Sequence, residues 1–206
     1  MKTLKICLLI LCVSVLSQAA TLSTTFVSNN GQSGNMFDVI PVQPITIRSL
    51  AINVSAGEHT FFIYGRLGTW VGNSGSSTGW TLLGQASVTS LGAGAPTAIP
   101  IELNVSLGAG QRYSFYATDT DETVDYTNGT GVGNIAAQDA FMQILEGAGV
   151  AYPFGEIYTP RIPNVSITYD PGAASVPAMS GWGLMFLAAG LCFIVLVMSR
   201  RTVICQ

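Results

Sequence analysis

Between residues 45 and 169 apolar side chains recur at every second position, glycine-rich turns cut the pattern into short lengths, and no stretch sustains a helical period. Alternation of this kind turns one face of an extended chain toward a core and the other toward water, so it commits the region to half-buried strands. Leu50, Ile52 and Val54 alternate with Ala51 and Asn53, whereas Ile45 and Ile47 have the opposite parity, which predicts a bulge near Arg48-Ser49. Thr60-Phe61-Phe62-Ile63-Tyr64 is dense in aromatic and β-branched residues, and residues 80–83 running into 86–88, 99–105, 112–118, 141–145 and 164–169 have the same character. Ala56-Gly57, Gly72-Asn73-Ser74-Gly75, Gly92-Ala93-Gly94, Gly108-Ala109-Gly110 and Asn128-Gly129 supply the turns. Short strands on such turns predict an all-β domain over residues 20–170, an antiparallel β-sandwich of jelly-roll-like character. Stretches 99–105 and 112–118, joined through Gly108-Ala109-Gly110, are expected to be adjacent hairpin strands.

Charge is scarce and segregated. Lys, Arg, Asp and Glu make up 9% of the chain, against about 25% in an ordinary soluble domain. Residues 21–175 hold four arginines, no lysine and all eleven acids, a net charge of −7, while the two ends hold the four remaining bases. A domain so short of bases has no positive stripe for phosphates, which excludes nucleic acid as a partner.

The ends read as targeting segments. Lys2 and Lys5 precede an apolar run over residues 6–16, and Ser17-Gln18-Ala19-Ala20 follows with small residues. A basic start, a short apolar middle and a small-residue exit make a secretory signal peptide over residues 1–19, with cleavage expected after Ala19. A second uncharged apolar run covers residues 182–198. As a helix it would be roughly 25 Å long, at the short end for a transmembrane span. Arg200 and Arg201 directly after it form a stop-transfer signal that leaves residues 199–206 in the cytoplasm. Residues 171–181 between domain and span are a short linker of small residues. Cys7, Cys12, Cys192 and Cys205 all lie outside the exported part, which therefore has neither a disulfide framework nor a thiolate metal site.

The carboxyl end reads Val176-Pro177-Ala178-Met179-Ser180-Gly181-Trp182-Gly183, then the apolar run, then Arg200-Arg201. It resembles the IPTL-CTERM sorting tails of bacteria, whose motif runs roughly Ile-Pro-Thr-Leu-Ser-Glu-Trp-Gly ahead of a span and basic residues. Pro177, Ser180, Trp182 and Gly183 match, Val176 and Met179 are conservative replacements, and Ala178 and Gly181 depart. The resemblance implies the inner membrane and an exosortase-like processing enzyme as partners, and a destination at the cell surface or in extracellular matrix. Residues 142–154 with Thr159-Pro160-Arg161 resemble a β-rich domain that recurs with such tails, which implies a fold and a location and no activity. A GPI signal is the rival reading of this end, but such signals leave the apolar tail uncapped.

Catalytic signals are weak. His59 is the single histidine, and no Gly-x-Ser-x-Gly elbow accompanies it, so it is expected to be a surface histidine at a strand end. Asp119-Thr120-Asp121-Glu122-Thr123-Val124-Asp125 offers alternating carboxylates. Asp119, Asp121 and Asp125 are the calcium candidates, although Val124 and Thr130 stand where an EF-hand needs Gly and Glu. The plainer reading is a solvated acidic loop; no other cofactor is implied. Trp70, Trp80, Tyr126, Tyr152 and Tyr158 lie in or beside loops, where aromatics either stack on sugars or pack a core. Asn53, Asn104, Asn128 and Asn164 open formal glycosylation sequons. The expectation is an exported, non-enzymatic bacterial surface protein with a structural or matrix role. A carbohydrate-binding module for extracellular polysaccharide is the alternative, and an extracellular hydrolase the weaker one.

Overall fold

The computed structural model describes residues 18–172. The chain divides into two units, Met1–Ala173 and Ala174–Gln206, and the architecture concerns the first. Two antiparallel sheets pack face to face, as in a sandwich. In the smaller sheet β1 (Ala20–Ser23) pairs with β15 (Val165–Pro171), and β15 pairs with β4 (Ile45–Asn53). Two short strands, β7 (Pro96–Ala98) and β8 (Val105–Leu107), close on opposite ends of β4. The larger sheet runs β2 (Asn30–Gln32), β10 (Val124–Asn128), β14 (Ile157–Pro163), β13 (Gly147–Val150), β3 (Gly34–Pro41), β9 (Tyr113–Thr118), β5 (Gly57–Leu67) and β6 (Thr81–Ser90). On the other half of β3, β12 (Met142–Leu145) takes the place of β13 and carries β11 (Ile135–Gln138).

The core is what the alternation asks for. Phe37, Val39, Phe61, Ile63, Phe115, Ala117, Met142 and Ile144 of the larger sheet meet Ile45, Ile47, Leu50, Ile52, Val165 and Ile167 of the smaller. Each large aliphatic or aromatic side chain so buried stabilises the fold by about 1.5–3 kcal/mol before entropy is counted. The expected bulge is present: Thr168 faces Ser49 and Tyr169 faces Ile47, so Arg48 is the extra residue and both parity sets of β4 reach the core.

One expected strand and one expected hairpin are absent. Residues 99–104 form no ladder, although Ile99, Ile101 and Leu103 keep period two and are buried. Pro100 has no N–H to give, and the Ile101 N–H turns back to the Ile99 carbonyl at 2.7 Å, a three-residue turn that strand geometry forbids. Residues 105–107 and 113–118 are not hairpin partners either. The former pair with β4 and the latter with β3 and β5, so the intervening loop crosses from one sheet to the other.

The larger sheet is also covered on its far side. Met36, Trp70, Trp80, Tyr116, Ala148, Val150 and Phe154 form a second buried cluster there, under the loops 68–80 and 151–156. Strand β3 is thus sandwiched on both faces. Beside it β13 must approach closely: a Cβ at Gly147 would collide with the Met36 carbonyl oxygen, and one at Gly149 with the Tyr126 phenol.

Candidate functional site

Three polar or aromatic constellations sit on this frame. The first contains the histidine. His59 shares the inward parity of Phe61 and Ile63 on β5, so it is only 6% exposed and not the surface residue expected. Its Nε2 lies 3.0 Å from the Ser55 carbonyl, which only accepts, so Nε2 carries a hydrogen. Its Nδ1 lies 3.0 Å from Thr123 Oγ1 and 3.6 Å from Asp119 Oδ2, and the Thr123 hydroxyl also bonds Asp119 Oδ2. The series is therefore carboxyl, hydroxyl, imidazole, carbonyl. In a hydrolytic triad the imidazole stands between carboxylate and hydroxyl. Here the hydroxyl stands between the other two, and the remaining ring nitrogen is occupied. The arrangement ties the β9–β10 connection to the start of β5 and leaves no imidazole nitrogen facing a substrate.

The acidic stretch is not a solvated loop throughout. Asp119 is fully buried, and burial pushes its carboxyl above the usual carboxylate range against the hydrogen bonds from Thr123 and Asp121. Asp125 is the second residue of β10 and accepts from Ser55 Oγ at 3.2 Å, with burial again raising its pKa. Asp121 is exposed. Asp119 and Asp125 thus turn to different partners while Asp121 faces solvent, and among the described residues no three His, Cys, Asp or Glu side chains gather into a metal cluster. A groove of about 390 Å³ lies alongside, lined in part by Glu58, Thr60, Ser87, Thr89 and Asp121.

The second constellation is a buried carboxylate. Asp38 on β3 is 3% exposed. Its Oδ1 accepts from Ser114 Oγ (2.6 Å) and the Trp70 N–H (3.2 Å), and its Oδ2 from Thr69 Oγ1 (2.7 Å) and Arg112 Nη1 (2.8 Å). It pins the loop that carries Trp70 and Trp80 onto the sheet. Glu146 does the same for the loop after β10, accepting from the Thr130 and Gly131 N–H groups at 2.6 and 2.9 Å.

The third is aromatic. Of the five loop aromatics, Trp70, Trp80 and Tyr126 are core residues at 5%, 9% and 1% exposure, while Tyr152 and Tyr158 are partly open. Around Tyr116, Phe154 packs edge-on at 4.9 Å, Trp80 at 6.3 Å and Tyr64 stacks at 5.9 Å. Phe62 and Tyr152 meet at 5.7 Å on the open side of this cluster. Arg66, two residues along β5 from Tyr64, lies 5.7 Å over the Trp80 ring, and its Nε and Nη1 have no hydrogen-bond partner. Sequence reading singled out Tyr152 but not Phe62, Tyr64 or Arg66, whose shared outward parity on β5 was the available signal.

The sequons divide by burial. Asn53 and Asn164 are 0% and 1% exposed, beyond reach of any glycosylating enzyme in the folded domain, whereas Asn104 and Asn128 are exposed. The expected sorting motif at residues 176–183, the arginines at 200 and 201, and both apolar runs lie outside the described residues, among which no helix is long and apolar enough to cross a membrane. No family model matches the chain, and no curated protein matches it.

Proposed function

We propose that this chain is an exported bacterial surface protein whose jelly-roll-like sandwich serves a non-catalytic structural role, held or sorted by a carboxyl-terminal span. The observation that carries the reading is the match between sequence segments and strand limits. β1 begins at Ala20, directly after the expected cleavage point, and β15 ends at Pro171, where the linker starts. Ala20 pairs with Tyr169, so the residue that cleavage would expose is already held in a ladder beside the strand that leads to the tail. The occupied hydrogen bonds of His59 also support a structural use of the polar groups rather than hydrolysis. Intact-mass analysis with membrane fractionation tests the reading. The expected product starts at Ala20 and sits in the membrane, or is released without its tail by an exosortase-like enzyme. A full-length, uncut chain in the soluble cytoplasmic fraction refutes it.

The half-open aromatic surface supports a second reading, a module that binds extracellular polysaccharide. Phe62, Tyr64 and Tyr152, all partly open, offer ring faces. A glycan array tests it: a hit should weaken in Tyr64→Ala and Tyr152→Ala, and silence across neutral and acidic glycans removes the reading.

A further inference from the structure

The larger sheet ends in an unguarded strand. Among the described strands, those that end or hang beside a sheet are short: β1 and β11 have four residues, and β2, β7 and β8 have three. β6 has ten and pairs only with β5. Natural edge strands are kept from pairing by shortness, lysine, proline or other charge. β6 reads Thr-Leu-Leu-Gly-Gln-Ala-Ser-Val-Thr-Ser and has none of these. Its irregularity falls at Leu83, which leaves Gly84–Ser90 in unbroken register with Ile63–Gly57. In an antiparallel ladder every second residue turns both N–H and C=O away from its partner. Half of the backbone of this seven-residue stretch therefore faces outward, ready for a further strand.

The surroundings match. No Lys, Arg, Asp, Glu or His occurs from residue 67 to 101, a run of thirty-five residues in a domain of net charge −7. That run contains Leu67, Val71, Leu82 and Leu91, exposed by 62%, 50%, 50% and 100%. Leu91, just past the end of β6, stands beside a hollow of about 360 Å³ lined by Thr89, Gly92, Pro96 and Ala98 among others.

We propose that β6 pairs with β6 of a second copy of this chain, antiparallel about a two-fold axis, to join two ten-stranded sheets into one. Identical strands suit each other here for an electrostatic reason. Two copies of an acidic domain repel over most of their surface, and β6, itself uncharged with acids beside it only at its Thr89 end (Glu58 and Asp121), is where they meet at least cost. A two-fold pair is self-complementary, so one strand supplies both halves of the ladder. Centred on Ser87, such a pair sets Gln85 opposite Thr89 of the other copy and carries each Leu91 toward the other copy's Leu82, covering two side chains now in water. The inference deepens the structural reading above by naming what the domain assembles with.

The test uses the full-length chain in detergent micelles, with sedimentation velocity as the readout. Gln85, Ser87 and Thr89 are exposed, so one variant replaces all three by Lys and another all three by Glu. Like charges then face each other in any register that keeps these side chains on one face. The wild type should sediment as a dimer. Each variant alone should associate at least about tenfold more weakly. An equimolar mixture of the two should recover the dimer, an outcome that contacts between carboxyl-terminal segments cannot produce. If the triple variants melt earlier than the wild type, Ser87→Lys and Ser87→Glu replace them and are read in the same way. A wild type that stays monomeric, variants that associate as well as the wild type, or a mixture that fails to recover each overturns the proposal. None of these results bears on export or anchoring, which fractionation reads separately.

Discussion

Replacing Asp38 is the sharpest probe of how this fold is held. The carboxylate is buried and takes two donors on each oxygen. Asp38→Ala removes all four bonds. The Ser114 hydroxyl keeps the Gly68 carbonyl as an acceptor at 2.8 Å, and Arg112, whose side chain is 42% exposed, turns to water. The Trp70 N–H is left buried beside a new void, while the half-buried Thr69 hydroxyl keeps the Val71 N–H as a donor. An unsatisfied buried group costs about 1–3 kcal/mol, the half-buried hydroxyl less, and the discounted ion pair less than about 1, so the loss is about 2–4 kcal/mol. For a domain of this length about 2–4 °C accompanies each kcal/mol, which puts the fall in Tm at roughly 10 °C. Asp38→Asn keeps the volume and one acceptor, so about half that fall is expected. Calorimetry measures the shift. Tryptophan emission should move to the red in Asp38→Ala below its melting point, because the loop released carries Trp70 and Trp80. A melting point within about 2 °C of wild type, with unchanged emission, would falsify the assignment of Asp38 as the anchor of that loop.

Gly147→Ala should destabilise by about 3 kcal/mol or more, since the added methyl meets the Met36 backbone and not a side chain that can move; thermal melts of the two chains check it. Asp119 has a folded pKa raised by burial, so its stabilising contribution is whole below the ordinary carboxylate value and is lost as pH rises through the higher folded one. From pH 4 to pH 7 the wild type should therefore lose melting temperature relative to Asp119→Asn, and a slope of the opposite sign would show that the native state favours the carboxylate. Burial pushes the Tyr116 phenol up to about 12, so the folded state disfavours tyrosinate and stability should fall as pH climbs from 10 toward that value. Absorbance near 295 nm, followed with circular dichroism, should show Tyr116 ionising together with unfolding, and Tyr116→Phe should flatten this part of the profile.

Where one face of a strand is wet, the sequence announces it. The parity change across Arg48 was readable as a bulge because core and solvent alternate along β4, and the same alternation marked β5 and β6. β3 gave no such signal. Its residues 34–39 are all buried, between the inter-sheet core on one side and the tryptophan loop on the other, so alternation vanishes and Asp38 disguises the strand further. β13 was unreadable for another reason. Its glycines are required by the backbone of β3 and the phenol of Tyr126, contacts made across more than a hundred and across about twenty residues of chain. For the candidate sites, parity would have shown His59 to be inward. The burial of Asp119 was hidden, because its partners Thr123 and His59 become neighbours only once β9, β10 and β5 are assembled.

The place of β15 has a mechanical consequence. It lies between β1 and β4 with four and seven paired residues respectively, and the chain continues from its end toward the carboxyl terminus. A pull on that terminus would load both ladders along their length, so that many hydrogen bonds share the force at once instead of opening one by one like a zip. A domain tethered in this way would resist extraction by drag far better than one whose last strand lay at a sheet margin.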